Sequence, residues 1–373
     1  MPNITEGDGE ALQLPASLDI NPLRLFDIAK AEGRPLYTAA PMVRYSKLAF
    51  RETVARYGTD LTWTPMILAK EFNRSLFARD SDFTTSPTAP PTIVQFGCNS
   101  PDELSRATTL LAPYVNGIDI NCGCPQSWAC AESLGAALMH KRELVASMVT
   151  TAKNTLGTPI PSHPISSPQY QIPHLTPTCA ASLGYADKKT VSVKIRIHKD
   201  LRQTSDFIRT VEAAGVDFIT IHGRTRSTPS SQPVDLNAIK LLTEHTTVPT
   251  LSNGDVFSLA DAHEHVKATG VDGVMSARGV LLNPALFSTA HSASEGCSWE
   301  VVETFVTNVI RAPIPFKLVV HHLSQMSGSD HSQSGKTLLT KEQRGRLMEC
   351  TGLGEVTDLL DEVREMEGGL RRY

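Results

Sequence analysis

The chain has 373 residues, of which 40% are hydrophobic and 20% charged, and a formal net charge of −4. Those values fit a soluble globular enzyme with room for one large domain and a small one, and they exclude a collagen-like or low-complexity chain. The charge gives no bulk pull toward nucleic acid, so any polyanion must be held by a local patch. Seven cysteines without regular spacing argue for reduced thiols, hence an intracellular compartment, cytoplasm and/or nucleus. Met1 to Glu10 is polar and acidic, unlike a signal or transit peptide, and no apolar run is long enough to span a bilayer.

Residues 1–35 read as an N-terminal extension. The first strand, Leu36–Ala39, runs into Pro41-Met42-Val43-Arg44, with Lys47 and Arg51 beyond. The second, Leu61–Thr64, leads toward Lys70. The third, Thr92–Phe96, holds Gln95 near its end, and Ser100 then opens a helix over Pro101–Ala112. The fourth, Gly117–Asn121, ends in Asn-Cys-Gly-Cys-Pro. Next comes Gly157–Lys189, which carries six prolines among serines, threonines and histidines. That composition cannot bury a core and reads as a disordered or surface insertion. The fifth strand, Val191–Ile197, precedes a helix over Thr204–Ala214. The sixth, Asp217–His222, precedes a helix over Leu236–Glu244, and the seventh, Pro249–Ser252, one over Leu259–Ala268. The eighth, Gly273–Ser276, ends in Ala277-Arg278-Gly279. From about Cys297 the pattern becomes helical, over Trp299–Val309, Phe316–Met326 and Val356–Glu367, with a loop at Ser327–Lys336. Residues 297–373 read as a small helical domain of slightly negative charge.

Strands alternating with helices imply a parallel sheet, and eight such units over residues 36–290 predict a (β/α)8 TIM barrel. A doubly wound open sheet is the alternative, but no G-x-G-x-x-G follows the first strand. In a barrel, function sits at the carboxyl ends of the strands. Cations follow most of those ends here, including Arg44, Arg196, Lys199, Arg224, Arg226 and Arg278, which points to an anionic ligand. On the fifth strand Val191, Val193, Ile195 and Ile197 share one face, while Ser192, Lys194 and Arg196 share the other. The polar face must look into the barrel, where a lysine needs a partner: an anionic cofactor, or a carboxylate such as Asp119. Asn253-Gly254-Asp255 and Ala277-Arg278 follow the seventh and eighth strands, the usual phosphate site of such barrels. His222 aligns with Lys194 on the neighbouring strand, where it could polarise a ring, bind phosphate or serve structure alone. The Gly-Cys-Pro turn lifts Cys124 clear of the sheet, three residues after Asn121, as a candidate acid or nucleophile or an ordinary buried cysteine. A zinc site from Cys98, Cys122, Cys124 and Cys130 is disfavoured, because no C-x-x-C pair occurs and Cys122 should face the helices.

Ala-Pro-Met-Val-Arg-Tyr-Ser-Lys, Gln-Phe-Gly, Asp-Ile-Asn-Cys-Gly-Cys-Pro, Val-Lys-Ile-Arg, His-Gly-Arg-Thr, Ser-Asn-Gly-Asp and Ala-Arg-Gly follow one another in this order. The set resembles that of tRNA-dihydrouridine synthases, from about Leu36 to Phe287 and more weakly into the tail. Asn-Cys-Gly-Cys-Pro-Gln-Ser-Trp resembles most the eukaryotic group acting on uridines 20a and 20b. The resemblance implies an FMN enzyme using NADPH or NADH, with tRNA as partner and neither metal nor membrane; a monomer is expected. It implies Cys124 as the catalytic cysteine and Asn121 as a residue near the flavin and the uracil. It further implies flavin contacts from Pro41, Met42, Val43, Gln95, Lys194, His222, Asn253, Gly254, Asp255, Ala277 and Arg278. Arg44, Arg196, Lys199, Arg224 and Arg226 would then contact RNA phosphates, and the tail matches a tRNA-binding domain. Two other readings stay open: a flavin barrel acting on a free pyrimidine, like dihydroorotate dehydrogenase, and a non-catalytic RNA-binding protein.

Overall fold

A computed structural model describes residues 14–157, 189–290, 296–328 and 337–366. Its strands are β1 (Leu36–Ala39), β2 (Leu61–Trp63), β3 (Ile67–Leu68), β4 (Thr92–Gly97), β5 (Gly117–Cys122), β6 (Thr190–Arg196), β7 (Phe218–His222), β8 (Thr250–Asn253) and β9 (Gly273–Ser276). All pair in parallel, in the order β2-β1-β9-β8-β7-β6-β5-β4, and a β2–β4 pairing closes the ring. The result is the expected eight-stranded barrel with helices around it. Eight strands lie within one residue of their expected bounds; β3 is an unanticipated two-residue addition to the edge of β4.

Period-2 alternation sorts the side chains. Val94, Ile118, Ile120, Cys122, Val191, Val193, Ile195 and Ile221 point outward into one hydrophobic cluster shared with the surrounding helices. Inside, the amino ends of the strands are apolar. Leu36, Leu61, Trp63, Ile93, Phe218, Leu251 and Met275 gather there with Leu25, Phe26 and Ala29. Those last three come from a helix over Pro22–Ala31 within the N-terminal extension. It starts where the rules require, with Pro22 in the first turn and Asn21 Oδ1 accepting from Leu23 N at 2.9 Å. The helix plugs the floor of the ring. Space there is short: a Cβ on Gly117 would collide with Ile93 and Thr190, and one on Gly273 with Leu36.

The barrel helices follow the expected segments. Ser100 Oγ accepts from Glu103 N, as its capping role demands. The helix expected from Thr204 starts earlier, at Leu201, because Asp200 caps it through Arg202 N. The tail has helices Trp299–Arg311, Phe316–Met326, Lys341–Glu349 and Leu353–Met366; the third was not anticipated. Val301, Phe305, Val319 and Leu323 join one cluster with Ala49, Phe50 and Val54 of the barrel helix Leu48–Arg56. His322 sits at that seam, its ring 5.0 Å from Tyr45 and 4.8 Å from both Phe50 and Phe305. Of the expected insertion at Gly157–Lys189, residues 158–188 lie outside the described residues, as do residues 329–336 of the expected loop.

Candidate active site

At the carboxyl end the interior turns polar. Asp119 on β5 is fully buried and accepts from Gln95 Nε2 and Ser192 Oγ, both at 2.7 Å. Burial pushes its carboxyl up to about 6, against those two hydrogen bonds. Gln95 Oε1 in turn accepts from Asn121 Nδ2 at 2.7 Å. Asn121 Oδ1 then accepts from the backbone N–H of Gly123 at 3.1 Å and of Cys124 at 2.9 Å. A relay of side chains thus runs from the middle of the ring to the loop carrying the thiol. The Cys124 carbonyl accepts from Ala136 N at 2.9 Å, and Gly135 (φ 59°) leaves no room for a Cβ against it. Burial holds the half-buried Cys124 thiol above its ordinary value, partly countered by a backbone hydrogen bond from Gln126 and by Arg196 and Lys194. Cys122 faces the helices, as its strand parity predicts.

On the adjacent strand β6, in register with Asn121, Lys194 Nζ donates to Asn253 Oδ1 on β8 at 2.6 Å, and Asn253 Nδ2 donates to the Met275 carbonyl at 2.8 Å. Lys194 has no hydrogen-bonded carboxylate among the described residues. Desolvation, with Arg196 beside it, lowers its ammonium to about 8. The expected alignment of His222 with Lys194 is corrected by the register: Lys194 lies opposite Thr220, and His222 opposite Arg196 and Asn253. His222 is driven down to about 2 by burial and then by Lys194, Arg196, Arg224 and Arg278. Its Nε2 accepts from Arg224 Nη1 at 3.3 Å, so the neutral ring carries its proton on Nδ1.

The cations divide into three kinds. Arg224 is buried, and its guanidinium closes on Asp255 and on the Gln232 carbonyl. Arg278 donates to the other Asp255 oxygen at 2.7 Å. Asp255 adopts a left-handed backbone (φ 51°), which costs about 1 kcal/mol and aims its carboxylate between the two arginines. Arg196 is half-buried, with Nε donating to the Gly123 carbonyl at 2.8 Å and Nη1 to that of Thr225 at 2.9 Å. Arg44, Lys199 and Arg226 are exposed on the rim. Pro41 and Met42 are half-buried and Val43 is exposed on the β1 loop. Gly254 (φ 123°) packs under the His222 ring, and Ala277 precedes a short helix over Arg278–Leu282. Within the mouth, Lys194, Arg196, Arg224 and Arg278 surround His222, and the carboxylate of Asp255 already serves two of them. An anionic group fits that excess of positive charge, and Gln95, Asn121 and Asn253 line the same end of the ring with amides.

Sequence reasoning missed Asp119 as the hub of the relay. The signal was present: Gly117, Asp119 and Asn121 share the inward parity of β5. Among the described residues no group of three His, Cys, Asp or Glu side chains could hold a metal ion. No helix among them is long and apolar enough to cross a membrane.

A closed parallel ring with a polar mouth, a desolvated lysine and a thiol on a strand-end loop defines a barrel enzyme of the (β/α)8 class. The profile of a family described as "Dihydrouridine synthase (Dus)" matches residues 38–163 and 173–371. The chain belongs to the dihydrouridine synthase family. The "tRNA-dihydrouridine(20a/20b) synthase [NAD(P)+]-like" protein of Homo sapiens is 42% identical over 306 residues, which is 82% of this chain and 85% of that one. The Schizosaccharomyces pombe 20a/20b synthase is 40% identical over 329 residues, 88% of this chain and 90% of its own. A 16/17 synthase-like protein of Rattus norvegicus is 29% identical over 350 residues, 91% of this chain and 71% of its own.

Proposed function

We propose that this chain is a flavin-dependent tRNA-dihydrouridine synthase. It saturates the C5–C6 bond of a D-loop uridine at position 20a or 20b, with FMN as the flavin and NADPH or NADH as reductant. The choice of position is supported by the greater identity to 20a/20b synthases than to the 16/17 relative. One observation carries the chemistry: the Cys124 backbone is pinned by Asn121 at the mouth of the ring, and the adjacent strand β6 presents Lys194 in register with Asn121.

A bound flavin supplies the hydride for C6 of uracil. Lys194 would set its cation against that flavin, and the amides of Gln95 and Asn253 would orient it. His222 is neutral, so it acts by hydrogen bonding rather than as a cation. Cys124 supplies the proton to C5 from the face opposite the hydride. Its raised value keeps it protonated at neutral pH, as a general acid requires. Lys194 and Arg196 both favour the thiolate left behind, which solvent then reprotonates. Arg44, Lys199 and Arg226 contact RNA phosphates at the rim. The uridine must leave its stack to enter the mouth, at a cost that a D-loop position lowers.

The test uses the purified flavoprotein and Cys124→Ala. The parent should be yellow, bleach with NADPH and form dihydrouridine in tRNA; the variant should bleach equally and form none. Dihydrouridine at the parent rate in the variant would refute the acid role. A colourless protein that still binds tRNA would favour the non-catalytic RNA-binding reading. Turnover of a free pyrimidine without tRNA binding would favour the dehydrogenase-like one.

A further inference from the structure

A cavity of about 620 Å³ opens between the ends of β6 and β7, beside the Cys124 loop. Arg196, Lys199, Arg226, His140, His198 and Asp200 line it. Its volume lies in the range of small-ligand sites. Arg196 forms the inner wall and ties it to the active site, because Nε donates to the Gly123 carbonyl next to Cys124. Its Nη2 carries no hydrogen bond among the described residues, and neither Lys199 nor Arg226 has an ion pair among them. Asp200 is the one carboxylate among the described residues that line it, and it is engaged by the backbone and side chain of Arg202. The cavity therefore has three cations and little to neutralise them. His198 is locked, with Nδ1 3.0 Å from Thr204 Oγ1 and Nε2 3.1 Å from the Met139 carbonyl. The exposed His140 ring meets it edge-on, with centroids 5.1 Å apart.

We propose that this cavity seats the nucleotide next in the RNA chain to the reduced uridine. Its phosphate lies among Arg196 Nη2, Lys199 and Arg226, and its base rests on the His140 ring. Splaying the neighbouring nucleotide into its own pocket holds the target uridine extruded and turns the cavity into a reader of sequence context. The inference rests on the tRNA reading given above. The two places adjoin, because Arg196 touches both the Cys124 loop and the cavity.

The test compares the parent holoenzyme with His140→Ala and with Lys199→Ala/Arg226→Ala. Substrates are intact tRNA and tRNA lacking the base next to the target uridine. The parent should lose at least about fivefold in kcat/KM on the abasic tRNA, the lower bound of one base–aromatic stack. His140→Ala should not distinguish the two substrates. The double variant should lower the slope of log KM against log salt by about 0.7 for each phosphate contact removed, roughly fourfold in KM near 0.15 M salt. Equal parent rates on both tRNAs, or a double variant with the parent's salt slope, would overturn the proposal while leaving the synthase reading intact. Slower bleaching of the flavin by NADPH in the double variant, without RNA present, would instead give the cavity to the reductant and overturn it too. Failure of the parent to modify any tRNA would sink the underlying reading.

Discussion

Lys194 Nζ rests 2.6 Å from Asn253 Oδ1, a desolvated cation held by a neutral amide instead of a carboxylate. That pairing leaves charge unanswered inside the ring, and its energetic sign is fixed by the lowered ammonium. The folded form binds its proton less tightly than the unfolded chain, so the flavin-free protein gains stability as pH rises from about 8 toward 10.5. Lys194→Met should remove that rise and raise stability at pH 7 by on the order of 2 kcal/mol. The same variant should bind flavin more weakly. Thermal melts of the flavin-free protein at pH 7 and 10, with a flavin titration by fluorescence, check both halves.

Asp119 gives the opposite slope. Its carboxyl is raised to about 6 from an ordinary 3.8, so its contribution is full below pH 4 and is lost as pH rises through 6. Asp119→Asn should flatten the stability curve across that window, by roughly 3 kcal/mol relative to the parent. Denaturant melts at pH 4.5 and pH 7 should register about 2 kcal/mol of it, the rest of the titration lying below pH 4.5. An unchanged slope would mean that the carboxyl titrates normally.

Asn121 accepts from the backbone N–H groups of Gly123 and Cys124 and donates to Gln95. Asn121→Ala should therefore free the Cys124 backbone while the outer hydrophobic cluster stays whole. Dihydrouridine formation should fall by about 10- to 100-fold, as misplacement of a catalytic group does. The near-ultraviolet circular dichroism spectrum should stay that of the parent.

The raised Cys124 thiol predicts a pH profile. The step that protonates C5 should be level through neutral pH and decline as pH rises through the thiol's value. Cys124→Ser should abolish that decline and lower the rate by about 10²-fold or more. Single-turnover measurements with prereduced enzyme isolate the step.

Phe26 packs on Phe218 with ring centroids 5.5 Å apart at the floor of the ring. Phe26→Ala should cost about 3–5 kcal/mol of stability. Turnover at temperatures below the lowered melting point should match the parent, because the floor is at the far end from Cys124. Calorimetry beside an activity assay at 15 °C makes the comparison.

Strand identity was legible because alternation in β5 and β6 is strict and glycine or polar residues end each run. The two residues of β3 are too few to show a period. The plugging helix had its signals, Asn21-Pro22 followed by Leu23, Leu25, Phe26 and Ala29, but an assignment of residues 1–35 to an extension passed over them. Side-chain parity put Lys194 inside and Cys122 outside correctly. Pairing across loops was not legible. Nothing near Arg224 in sequence tells that Asp255, thirty-one positions on, takes its guanidinium out of the rim. Nor does a strand pattern give register, which is why His222 was expected opposite Lys194 and lies opposite Arg196.

The hydrocarbon plug at the amino end has an evolutionary consequence. It secures the barrel independently of whatever lines the opposite opening. Changes around that opening alter stability through their own charges, as at Lys194 and Asp119, yet they leave the apolar floor untouched, so the scaffold tolerates strained or unpaired groups where chemistry needs them.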